Sequence, residues 1–170
     1  MQQETSGNNK KVYAMRKLLL ILLLAGCGFR PMFSDNDTDI YVAPIASGVN
    51  GIELRNALNT YLGGQKEANA HYTLDVVLTD PRTKYKALEE TGISTWQEIA
   101  LTATYTLRAG DKVIATGKES ASESYSFVRY LVAANASYNN AVKNTINVLA
   151  QKIGNRAVAE TYKYAHTDKK

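Results

Sequence analysis

Two stretches of the chain, residues 72–79 and 99–107, alternate between apolar and polar or small residues, the period of a strand with one buried face. Residues 113–120 are expected to return as another strand after a turn. The short β-branched segment 40–44 predicts a further strand ahead of them. A turn signal at residues 109–112, Ala-Gly-Asp-Lys, predicts that the last two strands form an antiparallel hairpin. Residues 81–95 are polar, follow Asp80-Pro81, and are expected to form a connection.

Two other stretches place apolar residues three and four positions apart, the spacing of an amphipathic helix. The first follows Asn50, which stands at capping-box spacing from Glu53, and ends at two glycines beginning with Gly63. The second starts near Phe127 and contains Gly154, which costs about 1 kcal/mol relative to alanine inside a helix. Its apolar stripe consists of Ala141, Val142, Ile146, Leu149, Ile153 and Ala157.

This order of elements, β-α-β-β-β-α, predicts an α+β fold. Strands with one apolar face and helices with one apolar stripe bury those surfaces against each other. We therefore expect a two-layer sandwich, in which a four-stranded, mostly antiparallel sheet is covered on one face by two helices. This domain should span residues 40–165, with residues 166–170 as a polar tail.

The N-terminal segment has the three-part order of a secretory signal peptide. Basic residues at 10, 11, 16 and 17 precede the unbroken apolar run LLLILLLA at residues 18–25. Eight apolar residues span roughly 12 Å as a helix, far short of the ~30 Å hydrocarbon core, which disfavours a permanent membrane span. Residues 1–26 are therefore expected to be a signal peptide, with translation starting at Met1 or Met15.

The run Leu24-Ala25-Gly26-Cys27 matches the lipobox of bacterial lipoproteins, and Cys27 is the only cysteine of the chain. This resemblance implies that Cys27 is lipidated, that residues 27–39 form a tether, and that three acyl chains hold the domain at a membrane. One acyl chain alone is a marginal anchor. In Gram-negative lipoproteins, aspartate next to the lipidated cysteine resembles a signal for retention in the inner membrane. Residue 28 is glycine, so we expect the protein at the outer membrane, on its periplasmic face. The alternative is an uncleaved apolar anchor with an incidental cysteine.

Charge and motifs exclude several classes of function. The formal net charge is +4, but residues 1–26 carry four basic residues and one glutamate, so the remainder carries about +1. Without a dense basic cluster in that remainder, we expect no nucleic-acid partner. His71 and His166 lack partners at metal-ligand spacing, and no nucleophile or phosphate-loop motif occurs. We therefore expect no metal, no cofactor and no enzymatic activity.

Several segments together resemble the LptE family of lipopolysaccharide-assembly lipoproteins, in its alphaproteobacterial form. They are LLAGCGFRP at 23–31, YVAPI at 41–45, ELRNAL at 53–58, YTL at 72–74, ATYTL at 103–107 and SY at 124–125. The resemblance covers essentially the whole mature chain in the same order of elements. It implies a plug inside an LptD-like outer-membrane β-barrel, which assists barrel assembly and lipopolysaccharide delivery to the outer leaflet.

The resemblance also implies contact with lipopolysaccharide through basic residues near one strand connection. Here that connection carries the acidic pair Glu89-Glu90, whereas Arg82, Lys84 and Lys86 lie close by and could contact phosphate. The alternative for these three residues is a solvated basic loop. Two other functions remain open: a lipoprotein subunit of another envelope complex, such as one for phospholipid transport, and a small periplasmic hydrolase.

Overall fold

The alternating segments form neighbouring strands of one sheet, and the two helical segments pack on it. The computed structural model describes residues 38–88, 94–126 and 130–167. The signal peptide, Cys27, most of the tether and Glu89-Glu90 lie outside these ranges. The elements are β1 (Ile40–Val42), α1 (Gly48–Leu62), a 3₁₀ turn (Glu67–Asn69), β2 (Tyr72–Leu78), β3 (Arg82–Leu88), β4 (Ser94–Ala109), β5 (Lys112–Ser126) and α2 (Leu131–Thr167).

Strand β4 organises the sheet because both of its edges are paired. One edge is antiparallel to β5 from Trp96 opposite Ser126 to Ala109 opposite Lys112. The other edge is shared by β2, which pairs with residues 103–109, and β3, which pairs with residues 94–100. Strand β1 lies parallel to β2 at the outside. The two-residue turn between β4 and β5 is the one the sequence predicts, and its Gly110 has φ +57°.

The predicted two-layer α+β sandwich is confirmed, but the sheet has five strands instead of four. The additional strand is β3, in the segment that was expected to be a connection. Its residues do alternate, but Thr83 and Tyr85 occupy the positions that point to the helix side, so no apolar pattern marks the strand. Pro81, which has no amide hydrogen to donate to a ladder, separates β3 from β2.

The core lies between the helices and the inner face of the sheet. It is built from branched side chains with almost no solvent exposure: Ile40, Val42, Leu54, Leu58, Leu62, Leu74, Ile99, Leu101, Leu107, Ile146, Leu149 and Ile153. Strand β5 adds small inner-face residues, among them Gly117, which lies opposite Tyr105. A Cβ atom at Gly117 would approach the Tyr105 ring to 2.5 Å, so glycine there makes room for the aromatic side chain.

The helix ends differ slightly from the predicted ones. Helix α1 begins at Gly48 with Ser47 as its N-cap residue, so the predicted capping box starting at Asn50 is wrong: Asn50 already lies in the first turn. Its predicted end is confirmed, because Gly63 has the left-handed conformation, with φ 90°. Helix α2 continues to Thr167, so it includes the first two residues of the predicted polar tail. Across the described ranges, neither helix is long and apolar enough to span a membrane.

Candidate functional site

The three basic residues singled out from the sequence lie on one face of strand β3. Arg82 is paired with Ala100, and Lys84 with Glu98, so both point to the outer face of the sheet, away from the helices. Lys86 reaches the same Glu98 carboxylate, with 2.7 Å between its Nζ and Oε2. Alternate residues of a strand share a face about 7 Å apart, which gives the spacing of Arg82 and Lys84. The register shifts between Tyr85 and Ala87, and the ion pair with Glu98 places Lys86 in the same row as the other two cations. We call this row the β3 basic face.

Charge on the β3 basic face is only partly neutralised. Lys86 forms the ion pair with Glu98, whose side chain is 20% exposed, while that of Lys86 is 50% exposed. Within the part of the chain that the structure describes, Arg82 and Lys84 have no ion-pair partner. Counting described residues alone, three cations and one carboxylate leave a net charge of +2 on this small area. An anion bound there would meet two cations that are not held in an ion pair by any of those residues.

The neighbouring strand keeps the β3 basic face open. On β5, the residues that share this face near Glu98 and Ala100 are serines: Ser124 is opposite Glu98, and Ser122 is opposite Ala100. Trp96 lies two residues before Glu98 on the same face, with 49% of its side chain exposed. Indole rings favour boundaries between apolar and polar surroundings. Cations, hydroxyl groups and an indole therefore occupy one continuous outer surface.

A small aromatic cluster on the inner face supports this end of the sheet. Tyr125 of β5 donates its hydroxyl hydrogen to Oε1 of buried Gln97 over 2.6 Å. Its ring meets that of Tyr138 of α2 edge to face, with 5.8 Å between ring centroids. Burial raises the pKa of the Tyr125 hydroxyl above 10, opposed by a hydrogen bond with Thr83. The cluster ties β4, β5 and α2 together directly beneath the basic face.

The two histidines singled out from the sequence lie apart, each in an exposed local contact. Nδ1 of His71 lies 3.2 Å from an Asp39 carboxylate oxygen in an exposed pair beside β1 and β2. His166 lies at the far end of α2, where its Nδ1 is 2.8 Å from the carbonyl oxygen of Tyr162. Among the described residues, no three His, Cys, Asp or Glu side chains are arranged to hold a metal ion. Cys27 lies outside the described residues.

Sequence reasoning missed a second polar surface, a groove between the two helices. Its walls include Thr60 and Tyr61 of α1 and Asn147 and Gln151 of α2. The Tyr61 hydroxyl donates to Oδ1 of Asn155 over 2.6 Å and so joins the helices across the groove. These two residues are 94 positions apart. Only the amide spacing along α2, at residues 140, 144, 147, 151 and 155, marks this surface in the sequence.

Comparisons with known proteins show that this fold is similar to that of several solved lipoprotein structures. No family profile matches the chain, and no curated protein sequence matches it. Rare lipoprotein B from Shewanella oneidensis is 16% identical, with a TM-score of 0.58 over 75% of this chain and 98% of that chain. A minor lipoprotein from Acinetobacter baumannii is 18% identical, with a TM-score of 0.53 over 72% of this chain and 92% of that chain. Lipoprotein B from Nitrosomonas europaea is 16% identical, with a TM-score of 0.54 over 74% of this chain and 84% of that chain. At these identities the likeness shows the fold alone, and it is a fold found in these lipoproteins.

Proposed function

We propose that this protein is a non-catalytic outer-membrane lipoprotein, anchored through Cys27, that plugs an LptD-type β-barrel and assists lipopolysaccharide transport. The observation that carries the glycolipid part of the proposal is the β3 basic face. The lipobox and the fold found in lipoproteins support the anchor and its envelope location. The proposal of a barrel partner rests on the sequence resemblance to the LptE family.

The β3 basic face fits the phosphate groups of a glycolipid. Arg82 can donate two parallel hydrogen bonds to a phosphate, whereas Lys84 acts as a point charge. Their spacing along the strand, about 7 Å, allows each to meet a separate anionic group. Trp96 on the same face offers an apolar surface beside the charges. This combination suits a head group that is anionic and attached to acyl chains.

The barrel partner is tested by purifying the tagged, lipidated protein from outer membranes in mild detergent. Mass spectrometry of the copurifying proteins should detect a large LptD-type β-barrel in stoichiometric amount. The Cys27→Ser variant serves as the control for anchoring and should be lost from the membrane fraction. Recovery of an inner-membrane transporter with its soluble components would refute the barrel proposal and favour a different envelope transport complex.

Glycolipid contact is tested separately with charge reversals. The triple variant Arg82→Glu, Lys84→Glu, Lys86→Glu should weaken lipopolysaccharide binding by at least tenfold, because each charged contact contributes about 1.5–3 kcal/mol. Lys118→Glu is the matched control. It lies on the outer face of β5, opposite Thr104, which is about 13 Å along β4 from Ala100, the partner of Arg82. Equal binding by the triple variant and the native chain would refute this site without affecting the barrel proposal.

A further inference from the structure

Helix α2 carries a continuous stripe of uncharged amide side chains. Asn140, Asn144, Asn147, Gln151 and Asn155 follow one another at spacings of four, three, four and four, which places them along one side of the helix. All five are exposed. Two charged residues of this part of α2 point elsewhere: Lys152 donates to the carbonyl oxygen of Ser120, and Arg156 pairs with Glu119, both on β5. Exposed Lys143 lies one turn before Asn147, at the side of the stripe. We call the five positions the amide stripe.

The middle of the amide stripe forms one wall of the groove between the helices. Asn147 and Gln151 face Thr60 and Tyr61 of α1, and small alanines, Ala57 and Ala150, complete the lining. The space is about 330 Å³, at the lower end of the range for small-molecule sites. No lining residue carries a formal charge.

The aromatic wall of the groove is held in place before any ligand arrives. The Tyr61 ring packs directly on the backbone of α2 at Gly154, where an added Cβ would come within 2.4 Å of the ring. Its hydroxyl is held by Asn155. Because the Asn155 carbonyl oxygen accepts this bond, its amide nitrogen is left to donate elsewhere. A rigid wall lowers the entropy cost of binding.

This chemistry selects among ligand classes. Amides donate and accept at the same site, which matches the adjacent hydroxyl groups of a sugar. The absence of charge from the lining gives an anion or cation nothing to pair with. We propose that the groove between α1 and α2 binds a neutral saccharide through Asn147 and Gln151, the two amides of the stripe that line it. This site is on the helical layer, apart from the β3 basic face, and does not depend on the proposed function.

The test uses side-chain amide signals in nitrogen-15 NMR spectra. The full lipidated chain is prepared in a zwitterionic detergent, because sugar-based detergents would occupy the site. Maltose, lactose and mannobiose are titrated singly, with glucose 6-phosphate as an anionic probe. We expect at least one neutral disaccharide to shift the Asn147 and Gln151 signals with a Kd on the order of 1 mM. Glucose 6-phosphate should bind at least about tenfold more weakly.

Matched variants distinguish binding in the groove from nonspecific contact with exposed amides of α2. Asn147→Asp and Gln151→Glu keep side-chain volume but remove the amide donors, and should weaken disaccharide binding by at least about tenfold. Asn139→Asp, an exposed residue of α2 off the stripe, should leave binding unchanged. Absence of shifts with all three disaccharides, or binding unaffected by both site variants, would overturn the proposal. So would signals that respond only to a copurified barrel protein, which would make the groove a protein interface.

Discussion

Replacing Gly154 by alanine tests how closely the two helices pack. Alanine in a helix interior is favoured over glycine by about 0.8–1.0 kcal/mol, so helix propensity alone predicts stabilisation. The structure predicts the opposite. A Cβ at position 154 would lie 2.4 Å from Cδ1 and 2.9 Å from Cε1 of Tyr61, distances that require the ring to move.

The ring has little freedom to move, and this sets the magnitude. The clash falls on one edge of the ring, beginning at Cδ1 close to the Tyr61 backbone, and the hydroxyl end is held by Asn155. Overpacking in well-packed sites costs about 1–3 kcal/mol. Taking about 2 kcal/mol for the clash and about 1 kcal/mol for the gain in propensity, Gly154→Ala should lower the free energy of unfolding by about 1 kcal/mol.

Removing the Tyr61 side chain should reverse the sign of the effect of Gly154→Ala on the free energy of unfolding. In the Tyr61→Ala chain the obstructing ring is gone, and Gly154→Ala should then raise the free energy of unfolding by about 1 kcal/mol. The coupling energy between the two positions is therefore about 2 kcal/mol, within the range found for residues in contact.

Urea unfolding of the unacylated chain, followed by far-ultraviolet circular dichroism, measures both values. The urea midpoint should move while the slope stays constant, which identifies a change in stability. A higher midpoint for Gly154→Ala in the native background would refute the reasoning. Equal effects in the two backgrounds would show that Tyr61 is not the obstacle.

The remaining predictions concern the buried tyrosines and the anchor. Tyr125→Phe should cost about 1–3 kcal/mol, because Gln97 loses its buried partner; Tyr130→Phe, at an exposed position, should stay within about 0.5 kcal/mol in the same urea assay. Burial, and then Glu119, raises the pKa of Tyr105 above its ordinary value of about 10. The unfolded chain therefore releases this proton first, so the tyrosine's contribution to stability is intact below pH 10 and falls as the pH rises above it. Melting temperature measured against pH should show a smaller alkaline decline in Tyr105→Phe, and an unchanged decline would contradict the assignment. Cys27→Ser should move the protein from the membrane fraction to the soluble periplasmic fraction, and retention at the membrane would rule out anchoring through that sulfur.

Much of the fold was predictable because the core-facing residues are apolar. The inner faces of β2 and β4 alternate with polar residues in the sequence, and α2 carries a regular apolar stripe. Strand β3 escaped the same reasoning because its inner positions hold Thr83 and Tyr85. With a threonine and a tyrosine at these two positions, residues 82–86 show no apolar alternation, although their basic residues do alternate. The N-terminus of α1 was misplaced because Ser47, the true cap residue, uses its hydroxyl for the carbonyl of Leu78 instead of a helix amide.

The candidate sites depend on pairings that a single sequence does not contain. Composition marked Arg82, Lys84 and Lys86 as basic, but their common face follows only from their being in a strand. The ion pair between Lys86 and Glu98 requires the register of β3 on β4. The groove is even harder to predict from the sequence, because Tyr61 and Asn155 come from different helices. Local patterns therefore predicted the elements, while register and helix packing determined the sites.

The position of the β3 basic face in the fold has a consequence for how it would bind. From Arg82 to Lys86 every side chain of β3 is exposed, so this part of the strand is held by hydrogen bonds to β4, by the ion pair to Glu98 and by the hydrogen bond between Thr83 and Tyr125. Elements with few buried apolar contacts open at a lower free energy than the core. A ligand that joins Arg82 and Lys84 binds only the closed strand, so part of its binding energy goes into holding β3 on the sheet. Affinity at this face and the stability of β3 are therefore linked.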